Sequence, residues 1–144
     1  MSKILCALDA TDRAPKVLAA AVEQASNRNA RLLLLRVVPP LGEVPFVELG
    51  ASLNVLTQQM VEGSRQQMEK LAEAVPASML MGFEVVVGSP WRLICDTARL
   101  LDVSLIVMGA HSYSGVDRAL GTIASKVINH ADRDVLVVRS QPGK

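Results

Sequence analysis

Residues 103–125, VSLIVMGAHSYSGVDRALGTIAS, carry the pattern best suited to chemistry. An apolar run, Leu105 to Met108, stops at Gly109, a glycine- and serine-containing loop follows, and Gly121-Thr122 opens a new amphipathic segment. A buried strand that feeds a loop and then a helix N-terminus is a common way to hold phosphate. Backbone N–H groups and the helix dipole converge there without any charged side chain. Gly109 either lets the backbone approach a phosphate closely or permits a positive φ at a strand end. Ser112 and Ser114 offer hydroxyl donors or are simply solvated, and Thr122 is a helix cap, a phosphate ligand, or both. Arg118 and Lys126 read as surface charges within reach of an anion over the loop, and His111 as loop surface.

A second candidate is Asp9, in Leu8-Asp9-Ala10-Thr11, an acid directly after an apolar run. It could accept hydrogen bonds from a ribose or an adenine or touch a metal near phosphate. Equally, it could serve as the turn and capping residue of the helix that follows. Cys6 and Cys95 are far apart with no paired CxxC spacing, which reads as buried reduced thiols. His111 and His130 form no ligand set, so no zinc site is expected. Trp91 is expected to cover a helix rather than stack on a base.

These residues need a scaffold. Five apolar runs, Lys3–Leu8, Leu32–Val38, Phe83–Val87, Ser104–Met108 and Val135–Val138, are nearly continuous in Leu, Ile and Val rather than alternating. Such runs suit strands covered on both faces of a parallel sheet. Between them lie segments of helical period. Val17, Leu18, Ala21, Val22 and Ala25 make one stripe, started by Thr11 or Asp12 as cap and Pro15 in the first turn. Ser89-Pro90 signals a second start, with Ile94, Thr97, Ala98 and Leu101 on the inner face. Ile123, Val127, Ile128 and Ala131 give the last helix. Pro39 to Gly50 should be irregular. From Ala51 to Val75, the spacing of Leu53, Leu56, Met60, Met68, Leu71 and Val75 predicts a long helix weakened at Gly63. The alternation implies one α/β domain over residues 1–144, a doubly wound five-stranded parallel sheet with helices on both faces.

Composition narrows the functions. The chain has 144 residues, half of them hydrophobic and 3% aromatic, so the core is built from aliphatic side chains. A net charge of +1 without a basic cluster gives no support to nucleic-acid binding. No stretch approaches the ~20 apolar residues of a membrane span, and Asp9 interrupts any signal core at the N-terminus. Cytoplasmic residence is the expectation. Open parallel sheets bind ligands at the carboxyl ends of their strands, where the winding reverses. Asp9, Val37, Val38, Gly88 and Gly109 all fall at such ends.

In this order and spacing the segments KILCALDATDRA, LLLLRVV, VVVGSPWRLICDTARLLDVSLIVMGAHS and GTIASKVINHADRDVLVV resemble the universal stress proteins along essentially the whole chain. The resemblance implies a sheet order of 3-2-1-4-5, with Asp9 and Gly109 neighbours across the central crevice. Nucleotide-binding members carry glycine, two residues, glycine, nine residues, then glycine and Ser or Thr. Carried over, Asp9 meets the ribose or adenine, with Ala7 in the same set, and Val37 meets the adenine edge. Met108 and Gly109 line the base and phosphate path, and Gly121, Thr122, Ile123 and Ala124 hold phosphates. Two departures stand out: Ser112 occupies the second glycine position, and the loop to Gly121 is one residue short.

The implied function is a regulatory stress-response dimer that binds ATP or a related adenine nucleotide (ADP or AMP), with Mg²⁺ admissible beside ATP. The last strand, Val135–Val138, would pair with its twin, covering an apolar edge. The alternative is a family member that binds no nucleotide and acts through protein contacts on the Pro39–Gly50 loop and the long helix. No GxxxxGK[ST] occurs, so any ATPase activity is expected to be slow and incidental.

Overall fold

A computed structural model describes residues 2–40, 47–110 and 120–139, with backbone alone for 47–53. The order is β1 (Lys3–Ala7), α1 (Ala14–Arg28), β2 (Arg31–Val38), α2 (Val47–Ala72), β3 (Leu80–Val87), α3 (Pro90–Leu100), β4 (Leu105–Gly109), α4 (Thr122–His130) and β5 (Asp134–Val138). The five strands form one parallel sheet in the order β3-β2-β1-β4-β5. The winding therefore reverses between β1 and β4, where Ala7 pairs with Met108.

The apolar runs are continuous because both sheet faces are covered. With a side-chain period of two, Ile4, Cys6, Leu32, Leu34, Leu105 and Val107 join the layer that contains buried residues of α1 and α2. Leu5, Leu33, Leu35, Ile106 and Met108 join Ile94, Ala98, Ala124 and Val127 on the opposite side. A fully buried leucine contributes about 1.5–3 kcal/mol relative to an exposed one. The central strands are therefore the most heavily stabilised part of the fold and a rigid base for the loops at their ends.

Several boundaries differ from those read in the sequence. β3 begins at Leu80 rather than Phe83, β4 extends to Gly109, and Leu8 lies beyond β1. Gly82 has φ +144°, a glycine conformation, where the β2–β3 register shifts between Leu32 and Leu33. This is a bulge that polarity gave no reason to expect. α2 spans Val47–Ala72 instead of 51–75, so part of the region expected to be irregular is helical. Its inner face is also narrower: Met68 is buried, while Leu56 and Met60 are 47% and 43% exposed. In α4 the buried residues are Ala124 and Val127, and Ile128 is exposed.

Candidate functional site

A crevice opens at the carboxyl ends of β1 and β4. It is walled by Ala7, Leu8, Asp9, Val17, Leu35, Val37, Pro90, Ile94, Met108, Gly109, Ile123 and Ala124. Seven residues singled out in the sequence thus come together: Ala7, Asp9, Val37, Met108, Gly109, Ile123 and Ala124. Gly121 and Thr122 sit immediately beside them at the start of α4. Ser112 lies outside the described residues, as do His111, Ser114, Gly115 and Arg118.

Asp9 has a local task. Its Oδ1 accepts the Thr11 N–H at 3.0 Å and the Thr11 hydroxyl at 2.6 Å. Thr11 Oγ1 in turn accepts the Arg13 N–H at 3.2 Å. The carboxylate therefore builds the turn between β1 and α1, and also forms part of the crevice wall. Neither Thr11 nor Asp12 caps α1, since the N-cap is Arg13 and makes no side-chain cap bond. Thr11 instead braces the turn one step earlier, with its carbonyl accepting the Ala14 N–H.

The two glycines flanking the loop are informative because their backbones do not require glycine. Among the described residues, the glycine with positive φ is Gly82, so Gly109 owes nothing to a left-handed strand end. A β-carbon placed on Gly109 would meet Val17 Cγ2 at 3.4 Å, an ordinary contact. Gly121, the N-cap of α4, has φ −64° and ψ 161°, a conformation open to any residue. Its N–H donates to the Ala110 carbonyl at 2.8 Å, tying the start of α4 to the residue after β4.

The electrostatics at this edge favour an anion. α1, α3 and α4 all begin on this side of the sheet, and none has a side-chain cap or an acidic residue in its first turn. In α4, Ser125 N–H to Gly121 O, at 2.9 Å, is the first bond of the helical ladder. The N–H groups of Thr122, Ile123 and Ala124 precede that ladder and are left without an intrahelical acceptor. Together with the helix dipole they present positive potential beside the crevice.

Other readings resolve differently. Lys126 turns toward Trp91, with Nζ 5.8 Å from the ring centroid. Trp91 packs on the α3/α4 layer and lies 4.5 Å from the His130 ring, so it covers helices as expected. Cys6 and Cys95 are buried thiols, and burial raises both pKa values. Among the described residues no three His, Cys, Asp or Glu side chains cluster as metal ligands, and no helix is long and apolar enough to cross a membrane. Sequence reasoning missed Leu8, Val17, Leu35, Pro90 and Ile94 as walls, and missed Arg36 altogether. A lone arginine inside LLLLRVV, a run covered on both faces, was a visible anomaly.

Comparison with known proteins agrees with this architecture. The model of the universal stress protein family matches residues 1–139, and the chain belongs to that family. Universal stress protein A homolog 1 of Coxiella burnetii is 30% identical over 138 residues, covering 94% of both chains. Among solved structures, universal stress protein UspA from Lactobacillus plantarum is 28% identical with a TM-score of 0.74, covering 96% of this chain and 97% of its own. The hypothetical protein MJ0577 shares the fold at a TM-score of 0.83 and 24% identity, covering 99% and 98%. A universal stress protein solved with cAMP has a TM-score of 0.67 at 21% identity, covering 97% of this chain and 98% of its own. One from Archaeoglobus fulgidus solved with dAMP has a TM-score of 0.61 at 22% identity, covering 96% and 98%.

Proposed function

We propose that this universal stress protein binds an adenine nucleotide in the crevice between β1 and β4 and acts as a regulatory homodimer. The observation that carries the reading is the pair of glycines with ordinary backbone geometry. Since neither Gly109 nor Gly121 is held in a conformation that favours glycine, a missing side chain is best explained by room for a ligand. The known ligands of the cAMP and dAMP complexes are of the same chemical class.

The base and ribose would lie against Ala7, Asp9, Val37 and Met108, walls that are apolar apart from the Asp9 carboxylate. The phosphates would pass Gly109 and meet the N–H groups of Thr122, Ile123 and Ala124, with Ser112 contributing from the loop. AMP, ADP and ATP all fit this chemistry, and Mg²⁺ is admissible beside ATP, where it would offset phosphate charge. β5 is an edge of the sheet with half-buried Val135, Leu136, Val137 and Val138, and pairing with a second copy would cover it.

Denaturing the purified protein and identifying what it releases by mass spectrometry, followed by calorimetry with ATP, AMP and cAMP, tests the reading. Stoichiometric nucleotide or a saturable isotherm supports it; no binding of any of the three up to millimolar concentration refutes it. A second reading, action through protein contacts, draws on the exposed Val55, Leu56 and Met60 of α2. A protein that assembles with its partner equally well with and without nucleotide would favour that alternative.

A further inference from the structure

Arg36 is the buried charge among the described residues, 4% exposed in an otherwise apolar stretch of β2. Strand alternation aims it, with Leu34 and Val38, into the α1/α2 layer. Desolvating a guanidinium is costly unless its donors are well used. Here Nε donates to the Leu8 carbonyl at 3.2 Å and Nη2 to the Asp9 carbonyl at 2.5 Å. Nη1 donates to Gln67 Oε1 on α2, also at 2.5 Å. β1 ends at Ala7, so the two carbonyls that Arg36 holds belong to the first residues beyond it.

Those two residues form the lip of the crevice, and the Asp9 carboxylate fixes the Thr11 turn that starts α1. Gln67 sits on the other side of a groove that separates α2 from α1 and that Arg36 also lines. The planar fork thus spans from α2 to the crevice lip in a single side chain, a geometry that lysine's point charge does not reproduce.

We infer that Arg36 is a positioning residue for the crevice, and that through Gln67 it couples the seating of α2 to the geometry of the Asp9 turn. Occupancy of the crevice, by stiffening that turn, tightens the attachment of α2. By reciprocity, a contact that displaces α2 loosens the grip on the occupant. The identity of the occupant rests on the nucleotide reading above; the coupling itself does not.

Residue-resolved hydrogen exchange on the full chain, first without nucleotide, tests it. Gln67 lies on an exposed helix face, so Gln67→Ala keeps the fold. It should nevertheless speed exchange of the Thr11 and Arg13 amides by about threefold to tenfold, the loss of one charge-assisted hydrogen bond. Core amides such as Val107 should stay unchanged. Gln67→Glu should restore protection, and Arg36→Lys should loosen the turn more than Gln67→Ala. Exchange at Thr11 and Arg13 that is unaltered in both loosening variants, or altered only in step with the core, overturns the inference. With AMP added, the wild type should gain protection along α2 around Gln67. Gln67→Ala should lose that gain and bind several-fold more weakly. Equal affinity and equal α2 protection in the two proteins also overturn it. If the wild type binds no AMP, ATP or cAMP, the nucleotide reading fails and the nucleotide-free exchange still decides the coupling.

Discussion

Replacing Gly109 by alanine separates a ligand path from a strand that merely ends in glycine. The added β-carbon meets Val17 Cγ2 at 3.4 Å and φ lies outside the left-handed region, so no backbone strain opposes it. Removing a strand glycine also lowers the entropy of the unfolded chain, a gain of about 0.5–1 kcal/mol. Slight crowding at Val17 offsets part of this. The expected stability change thus runs from about zero to 1 kcal/mol in favour of the variant, a rise in Tm of at most about 3 °C. The same methyl group narrows the crevice wall beside Met108 and Asp9, on the path assigned to ribose and phosphate. An occupant pushed off its hydrogen bonds loses at least about 1.4 kcal/mol, a tenfold weaker Kd. Thermal melts and calorimetry on one preparation read both quantities. A Tm that falls by more than about 5 °C, or a nucleotide Kd equal to wild type, refutes the argument from close approach.

Gly63 in α2 has open space where a β-carbon would go, so Gly63→Ala should stabilise by about 1 kcal/mol, visible as a higher urea midpoint with an unchanged m-value. Asp132 accepts a hydrogen bond from Arg133 Nε at 2.8 Å, which lowers its pKa. Its contribution is present above the unfolded value of about 4 and is lost as pH falls through the folded one. The stability difference between wild type and Asp132→Asn should therefore shrink to nothing in acid, and a pH-independent difference from pH 6 to 2 would count against the pair. Cys6 is fully buried, and desolvation raises its thiol pKa. Its contribution is full below the unfolded pKa of about 8.5 and declines as pH rises further, because only the unfolded chain ionises there. Native protein should resist thiol reagents at Cys6 until it unfolds; stoichiometric labelling at neutral pH without unfolding would show that the thiol is accessible.

Much of the architecture was legible in the residues themselves. Five nearly continuous apolar runs point to strands with both faces covered, and helical spacing between them points to crossovers, so a parallel α/β sheet follows from period alone. Asp9 and Gly109 stood out as an acid and a glycine at the ends of apolar runs, and Gly121 as the glycine that opens the last amphipathic segment, although the residues left a local reading open for Asp9 and Gly109. The strand order came from resemblance to a family rather than from periodicity, which is silent on which strands are neighbours.

Three-dimensional packing decided the rest. Period tells which residues share a face but not what covers that face, so Leu56 and Met60 of α2 looked like core and are exposed. The crevice walls Leu35, Pro90 and Ile94 come from segments far apart in the chain, and only the sheet order brings them to Ala7 and Met108. Whether Gly109 was a strained strand end or a cleared path depended on one torsion angle, which no residue type encodes. Arg36 joins β2, the β1–α1 turn and α2 through donor directions that exist only once all three are packed. A hydrogen-bonding fork is a property of positions in space, and in the sequence it was just a charge in the wrong place.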